Sequence, residues 1–572
     1  MARRWSGLLS LLALLGVGPD LRAAGCGDLN DDGRVTVADA LVLLQATTGL
    51  PGNYCGGAGA TACGDITKDG RLDIGDVVVL LNVLVGNPTL YQPCTDVGRH
   101  VACPGAPGDG PNGEHWHGRA TISGNVTDNQ VWDEGCRYDI DGIVFVRSGV
   151  TVTIEPGALV AGVNPPTTGA TSFSALVFLA GSKINAAGTP EKPILMQSTD
   201  HLDHGAGHVG DWGGLTINGR APVNCPGGSC LAEGLAGVAF GGSDPNDSSG
   251  VLRYLRVEFA GKLVDPGGNT LHNLTLNGVG GGTEYDHVQA NVGYDDCQAF
   301  YGGTVNGRYL VSSACGDDLF DTQLGTRSNV QYALGVYYQP MMQNAGNEGL
   351  EWDDNENGFD LLPRTAPTCC NVTLVGTALQ PDAGLAATER AMTLRRGTAG
   401  IVANAIAEHF RITGLELRDA ATAANACDGP AALHIATSDR PPLLVEHSLF
   451  FDTGFAGSGT TPGLGTQVHG STTTPCTAAE YWSLLANESS LEPVDPTTIG
   501  PDPGLRVKYG TGAGDQLTDL GQFIPANTPV VHSLAMDCKT IDPFFETTDF
   551  IGAFDPLRPS WLTAPWISFE LQ

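Results

Sequence analysis

Two segments built on one plan, 37 residues apart, place oxygen-bearing side chains at the spacing a hard cation requires. In the first, Asp28, Asn30, Asp32 and Asp39 fall at loop positions 1, 3, 5 and 12, with Gly33 at position 6. In the second, Asp65, Thr67, Asp69 and Asp76 take the same positions, with Gly70 at the sixth. A twelve-residue calcium loop uses side chains at alternating positions, a glycine for its sharp turn, a main-chain carbonyl at position 7 and a closing carboxylate at position 12. Arg34 and Arg71 stand at position 7 and would supply that carbonyl. Thr67 is a weaker ligand than Asn30, so the second loop should be the looser one. An Asp/Gly-rich surface turn would explain one such segment. The repetition argues for Ca2+, since each copy is introduced by Cys-Gly-Asp (at Cys26 and Cys63) and followed by an apolar stretch.

A second set of carboxylates recurs further on: Asp295 with Asp296, Asp317 and Asp318 with Asp321, and Asp353 with Asp354, flanked by Glu348, Glu351 and Glu356. Asp296 and Asp318 are 22 residues apart. If the chain coils once per such interval, the first two pairs stack at about the 5 Å spacing of neighbouring strands. Stacked carboxylates repel unless they are protonated or bridged by a cation. Three uses remain open: a calcium site on the coil face, a solvated ladder of acidic turns with no ligand, or an acid/base pair for glycoside cleavage. Trp132, Trp212, Trp352, Tyr294 and Tyr301 would stack on sugar rings if exposed, although Trp212 sits in a strand pattern and reads as packing. His115, Trp116 and His117, and the cluster Asp200, His201, Asp203 and His204, read as polar surface. Cys/His zinc spacings, Gly-x-Ser-x-Gly and a phosphate-binding glycine loop are absent.

The elements that must carry these groups follow from composition and spacing. The chain has 572 residues, a formal net charge of −33, only 16% charged residues and 79 glycines. Such acidity argues against nucleic acid or an anionic membrane as partner. Residues 1–25 read as a secretory signal, with Arg3 and Arg4, an apolar run from Leu8 to Val17, and small residues at Ala23, Ala24 and Gly25. No later segment reaches about 18 unbroken apolar residues, so no transmembrane span is expected in an exported, extracellular or cell-surface chain. Fifteen cysteines fit an oxidising compartment. Cys26 is either a lipid-anchor site after Ala-Ala-Gly or the partner of Cys94, with Cys55 beside Cys63; Cys225 and Cys230 read as a local bridge. Residues 26–94 form the calcium module and residues 95–117 a Pro/Gly-rich linker. Residues 118–572 carry short strand-like runs, among them Gly142–Val146, Ser174–Leu179, Leu271–Leu276 and Asn329–Ala333. His287, Arg308 and Asn329 are spaced by 21, which predicts stacked β-coils.

Two family resemblances extend this reading. Each calcium loop is followed by one helical run (Ala40–Ala46, Val77–Val85), has too little chain before it for an entering helix, and closes on Asp instead of Glu. Residues 26–94 therefore resemble a type I dockerin module. That likeness implies two bound Ca2+ and docking onto a cohesin-like domain in extracellular polysaccharide breakdown. Cohesin recognition transfers poorly, because Val37-Ala38 and Ile74-Gly75 stand where the family carries a Ser/Thr pair. Ser148–Gly157, Lys183–Ile194, Trp212–Gly219, Leu255–Gly261, Phe300–Thr304 and the tail Asp549–Phe554 with Trp561 and Trp566 resemble bacterial secreted right-handed parallel β-helix proteins of the pectate-lyase-like fold. The implied fold class is mainly β: a right-handed parallel β-helix solenoid with a C-terminal cap and a small α-helical EF-hand pair at the N-terminus. The implied function is binding or processing of extracellular polysaccharide by a secreted calcium-binding protein, as a hydrolase or lyase if it cleaves. The alternative is a non-enzymatic surface or adhesion protein with a calcium-stabilised cap. Polygalacturonase and pectate-lyase signatures are missing, Asn-Thr-Asp and Arg-x-Pro-x-x-Arg among them.

Overall fold

A computed structural model describes residues 37–48, 74–84, 99–111, 113–168, 172–337, 347–377, 389–427, 442–451, 453, 466–468, 502–507 and 519–569. Two compact units emerge, one of residues 1–99 with 129–131, the other of residues 100–128 with 132–572. In the first unit, helix α1 (Val37–Thr47) and helix α2 (Ile74–Leu84) pack together. Both begin at the tenth position of the repeated segment. They bury Ala40, Leu43 and Ala46 on one and Val77 and Leu80 on the other. Asp39 is buried in the first turn of α1, where a carboxylate also meets the positive end of the helix dipole. The other predicted ligands Asp28, Asn30, Asp32, Arg34, Asp65, Thr67, Asp69 and Arg71, and Cys26, Cys55, Cys63 and Cys94, lie outside the described residues. Asp76 is on α2, with its side chain outside the description. Among the described residues no helix is long and apolar enough to cross a membrane.

In the second unit the chain alternates between two parallel ladders. The long-strand ladder takes Gly250–Ala260, Glu284–Gly293, Gly307–Cys315, Asn329–Val336, Thr368–Val375 and Gly400–Glu408. The short-strand ladder takes Leu274–Val279, Gln298–Gly303, Phe320–Gln323, Glu348–Asp353, Arg390–Arg395 and Thr413–Leu417. Every pairing is parallel, and each strand meets its equivalent one coil on, which defines a parallel β-helix. Earlier coils, among them Gly118–Val126 on Cys136–Val146, stack the same way. Leu255, Val288, Leu310, Ala333, Val372 and Ala405 form one aliphatic column inside. The coil interval differs from the predicted 21: Asp286 pairs with Arg308 and Arg308 with Gln331, offsets of 22 and 23. His287, Arg308 and Asn329 are not equivalent positions.

A sharp corner interrupts each long strand. Tyr254, His287, Tyr309, Tyr332, Asn371 and Asn404 all have positive φ, between 47° and 62°. Left-handed backbone costs a residue with a Cβ about 1–2 kcal/mol. The register stacks these corners, and their side chains offset that cost. Ring centroids lie 4.4 Å apart for Tyr254 and His287, 4.3 Å for His287 and Tyr309, and 4.9 Å for Tyr309 and Tyr332. The C-terminal segment lies along the corners, in the sense opposite to coil order. Asn404 Nδ2 donates to the Met536 carbonyl, Asn371 Nδ2 donates to the Phe550 carbonyl, and Trp566 meets His287 edge-on. The Cys370–Cys538 disulfide fastens this strap. Further bridges join Cys103–Cys136, Cys225–Cys230 and Cys297–Cys315. Within the stretch read as a linker, Gly108–Asp109 pairs with His115–Trp116, and Trp116 is buried under Arg137. Residues 100–117 therefore belong to the second unit.

Strand alternation turns Cys369 inward while its neighbour Cys370 reaches the strap. Burial pushes the Cys369 thiol up to about 12. A thiol-alkylating reagent should leave Cys369 unmodified in the native protein and label it once denaturant is added, read by mass spectrometry. Tyr309→Ala should lower unfolding free energy by roughly 2–3 kcal/mol through loss of two stacks and the Trp561 contact. Tyr309→Asn should cost less, because Asn tolerates the left-handed corner. Denaturant unfolding of both variants checks this.

Candidate functional site

The short-strand ladder turns Leu274, Leu276, Leu350 and Leu394 to the core and its alternate residues outward. Its register runs Leu274, Gln298, Phe320, Leu350, Met392. Two residues earlier on each coil stand His272, Asp296, Asp318, Glu348 and Arg390, in one column. One residue later stand Thr275, Ala299, Asp321, Glu351 and Thr393, and in the next outward column Asn277, Tyr301, Gln323, Asp353 and Arg395. The predicted stacking of Asp295–Asp296 on Asp317–Asp318 is thus present. The face is acidic across its middle coils and basic on the coil after them.

Solvation is where the sequence reading fails. Asp295, Asp296, Asp318, Asp321, Glu348, Glu351 and Asp353 are all buried, and Asp317 partly so. The carboxylates interlock from coil to coil: Asp318 N donates to Asp296 Oδ1 at 3.1 Å, and Glu348 N donates to Asp318 Oδ1 at 2.8 Å. Each of these two spends one oxygen on the next coil and turns the other elsewhere.

Arginines neutralise one end. Arg395 pairs with Glu351 and, at 2.6 Å, with Asp353; Arg396 also meets Asp353 at 2.6 Å. Arg390 and Arg418 each lie 3.4 Å from Glu348 and 2.8 Å from Glu416. At the other end His272 Nδ1 lies 3.2 Å from Oδ2 of both Asp295 and Asp296. Burial would lower the His272 pKa, but Asp296, Asp295 and Glu233 outweigh it and carry it up to about 10. Between these ends Asp317, Asp318 and Asp321 have no ion pair among the described residues. Burial first, then neighbouring carboxylates, hold Asp317 and Asp318 well above the usual carboxylate range. Burial and Asp353 raise Asp321 to about 7.

The donor set fits a hard cation. Ligand oxygens of Asp317, Asp318 and Glu348, and of Asp318, Asp321 and Glu351, lie within 4.8 Å of one another. Two oxygens sharing one calcium at about 2.3–2.6 Å can be no more than about 5 Å apart. Asp321 Oδ1 and Glu348 Oε2 are buried without a hydrogen-bond partner.

Not every predicted residue converges. Asp354 turns away from Asp353 and accepts from Asn224 Nδ2 at 2.8 Å and Thr365 N at 2.7 Å. Glu356 is exposed. The aromatic platform is absent: Trp132, Trp212, Trp352 and Tyr301 are buried, and Tyr294 is half-buried. His115 is exposed beside Asp109, and His117 lies by the Cys103–Cys136 bridge. Asp203 pairs with Arg137, and His201 stacks on Phe259. His272, Arg390, Arg395 and Arg418 went unnoticed in the sequence. The 24-residue step from His272 to Asp296 was the one available signal.

Fold and site together define a parallel β-helix with a carboxylate-lined, enclosed sheet face. The family described as pectate-lyase like beta helix domain matches residues 124–438, more than half of the chain, and the protein belongs to it. The family points to a polysaccharide-related role. Comparison with curated proteins and with solved structures gave no match.

Asp354 gives the fold a pH dependence of defined sign. Burial, opposed by its hydrogen bonds to Thr365, raises it to about 7, above the value of about 3.9 for an unfolded Asp. A raised carboxyl contributes stability that is full below the unfolded value and lost as pH rises through the folded one. The melting temperature of chelator-treated protein should therefore fall between about pH 4 and about pH 7. Asp354→Asn should flatten part of that fall; an unchanged slope would mean Asp354 is already ionised at about pH 5.

Proposed function

We propose that this is an exported calcium-dependent protein whose β-helix binds extracellular polysaccharide. The observation that carries this reading is the enclosed oxygen cluster of Asp317, Asp318, Asp321, Glu348 and Glu351. These residues lack enough cationic partners for the charge they hold, and two of their oxygens are orphaned. In the bound state Ca2+ would sit beside Asp318, in the triad with Asp317 and Glu348 or in the triad with Asp321 and Glu351, and would supply the positive charge that lets stacked coils keep ionised carboxylates. Asp296 and the backbone N–H groups of Asp318 and Glu348 orient the set. The N-terminal loops, through Asp28, Asn30, Asp32, Asp39, Asp65, Thr67, Asp69 and Asp76, hold two further Ca2+ ions in a dockerin-like module. Val37-Ala38 and Ile74-Gly75 stand in place of the Ser/Thr pairs through which such a module would meet a cohesin-like partner. Four disulfides among the described residues support an oxidising, extracellular location, as the N-terminal signal does.

One observation favours the non-enzymatic alternative. A general acid or nucleophile must touch its sugar, whereas the carboxylates of the acidic face and Tyr301 beside them are buried. The protein on this second reading is a calcium-stiffened surface or adhesion β-helix.

Calorimetric titration of Ca2+ into stripped mature protein tests both calcium assignments. Wild type should bind ions at both places. Asp28→Ala with Asp65→Ala should leave the β-helix site, and Asp318→Asn with Asp321→Asn should remove it and lower the melting temperature gained from calcium. No loss on cutting Asp318 and Asp321 would sink the β-helix site. A panel of neutral and uronic-acid polysaccharides then separates the readings: retention with new reducing ends or unsaturated products means cleavage, retention alone means binding, and no retention favours the structural alternative.

A further inference from the structure

The acidic face carries a second cluster with different chemistry. His272, Asp295 and Asp296 bring a ring nitrogen and two carboxylate oxygens within 4.8 Å of one another, all buried. Nitrogen with oxygen is a poor set for calcium and a good one for divalent transition ions such as zinc. We propose that His272, Asp295 and Asp296 bind one divalent transition ion of the zinc class, separate from the all-oxygen site.

Three observations carry this. The first is distance. His272 Nδ1 is 3.2 Å from Oδ2 of each aspartate. A charge-assisted hydrogen bond would be shorter, about 2.7–2.9 Å. Ligand atoms about 2.0–2.1 Å from a tetrahedral zinc stand about 3.3 Å apart. The second is satisfaction. His272 is 3% exposed, and Nδ1 makes no well-aligned hydrogen bond, although it lies 3.2 Å from two carboxylates. The third is support from behind. Metal-binding histidines bond through their other nitrogen, which fixes ring and tautomer. Here Nε2 lies 3.0 Å from the Tyr301 hydroxyl, which in turn stands 3.4 Å from Asp296 Oδ2. Asp296 is anchored through its other oxygen by the Asp318 N–H. Three protein ligands leave a zinc-class ion one open position.

The competing account is an imidazolium paired with two aspartates and no metal. The two are separated by titrating Co2+, a spectroscopic stand-in for zinc, into the stripped full-length mature chain saturated with Ca2+. The proposal expects one equivalent of Co2+ giving a visible ligand-field band that Zn2+ displaces. His272→Gln should weaken Co2+ binding at least about tenfold, and Tyr301→Phe by about 10–100-fold with the band shape unchanged. Asp318→Asn should keep the band while losing calcium, so failure here and failure of the calcium reading are told apart. A wild type with no band, or a band that survives His272→Gln, overturns the proposal. If His272→Gln does not fold, X-ray absorption of the zinc-loaded wild type decides: imidazole scattering supports the site, and an oxygen-only shell overturns it.

Discussion

Ionised carboxylates about 5 Å apart repel by roughly 3 kcal/mol per pair even at an effective dielectric near 20. A parallel β-helix brings equivalent residues of successive coils to that spacing. Any acidic residue recurring at the coil interval therefore faces its own copies. On the short-strand face Asp296, Asp318 and Glu348 do so in one column, and Asp321 and Glu351 in the next. Burial removes water as a screen, and burial is the first cause of every raised carboxyl pKa on this face. Backbone N–H groups and arginines answer part of the charge. A proton or a cation must answer the remainder.

The rest of the β-helix keeps that column in place. Aliphatic columns lock the register from inside, and a slip of one residue would turn Asp321, Glu351 and Asp353 into the core. In the long strands, left-handed corners recur once per coil, and aromatic and Asn side chains stack there in register. The C-terminal strap covers those corners through Asn371, Asn404 and the Cys370–Cys538 bridge.

Much of this was legible in the residues, and the failures share a cause. Asp296 and Asp318 are separated by one uninterrupted coil, so their 22-residue spacing stated the stacking correctly. The next steps along the same ladder are 30 residues, from Phe320 to Leu350, and 42, from Leu350 to Met392. Insertions of that size hide equivalence. Glu348 was thus read only as a flank of Asp353, and Arg390 and Arg395 were missed as the layer that neutralises the acidic coils. His272 looked like a lone histidine in a strand, because one residue carries no period. Burial was the other property the sequence does not carry: a solvated acidic ladder stayed open as one of three uses, whereas Asp296, Asp318, Asp321, Glu351 and Tyr301 are buried. Cys225–Cys230 was readable because both ends lie in one turn. Cys370–Cys538, spanning 168 residues, was not.

The most direct test is a crystal grown with calcium and measured for anomalous scattering at long wavelength, with a parallel data set after exchange for a lanthanide. The account predicts an anomalous peak beside Asp318, in the triad with Asp317 and Glu348 or in the triad with Asp321 and Glu351, with oxygen distances of about 2.3–2.6 Å. A cluster with no peak, and with carboxylates close enough to share protons, would contradict it and leave this face as a protonated seam with no metal.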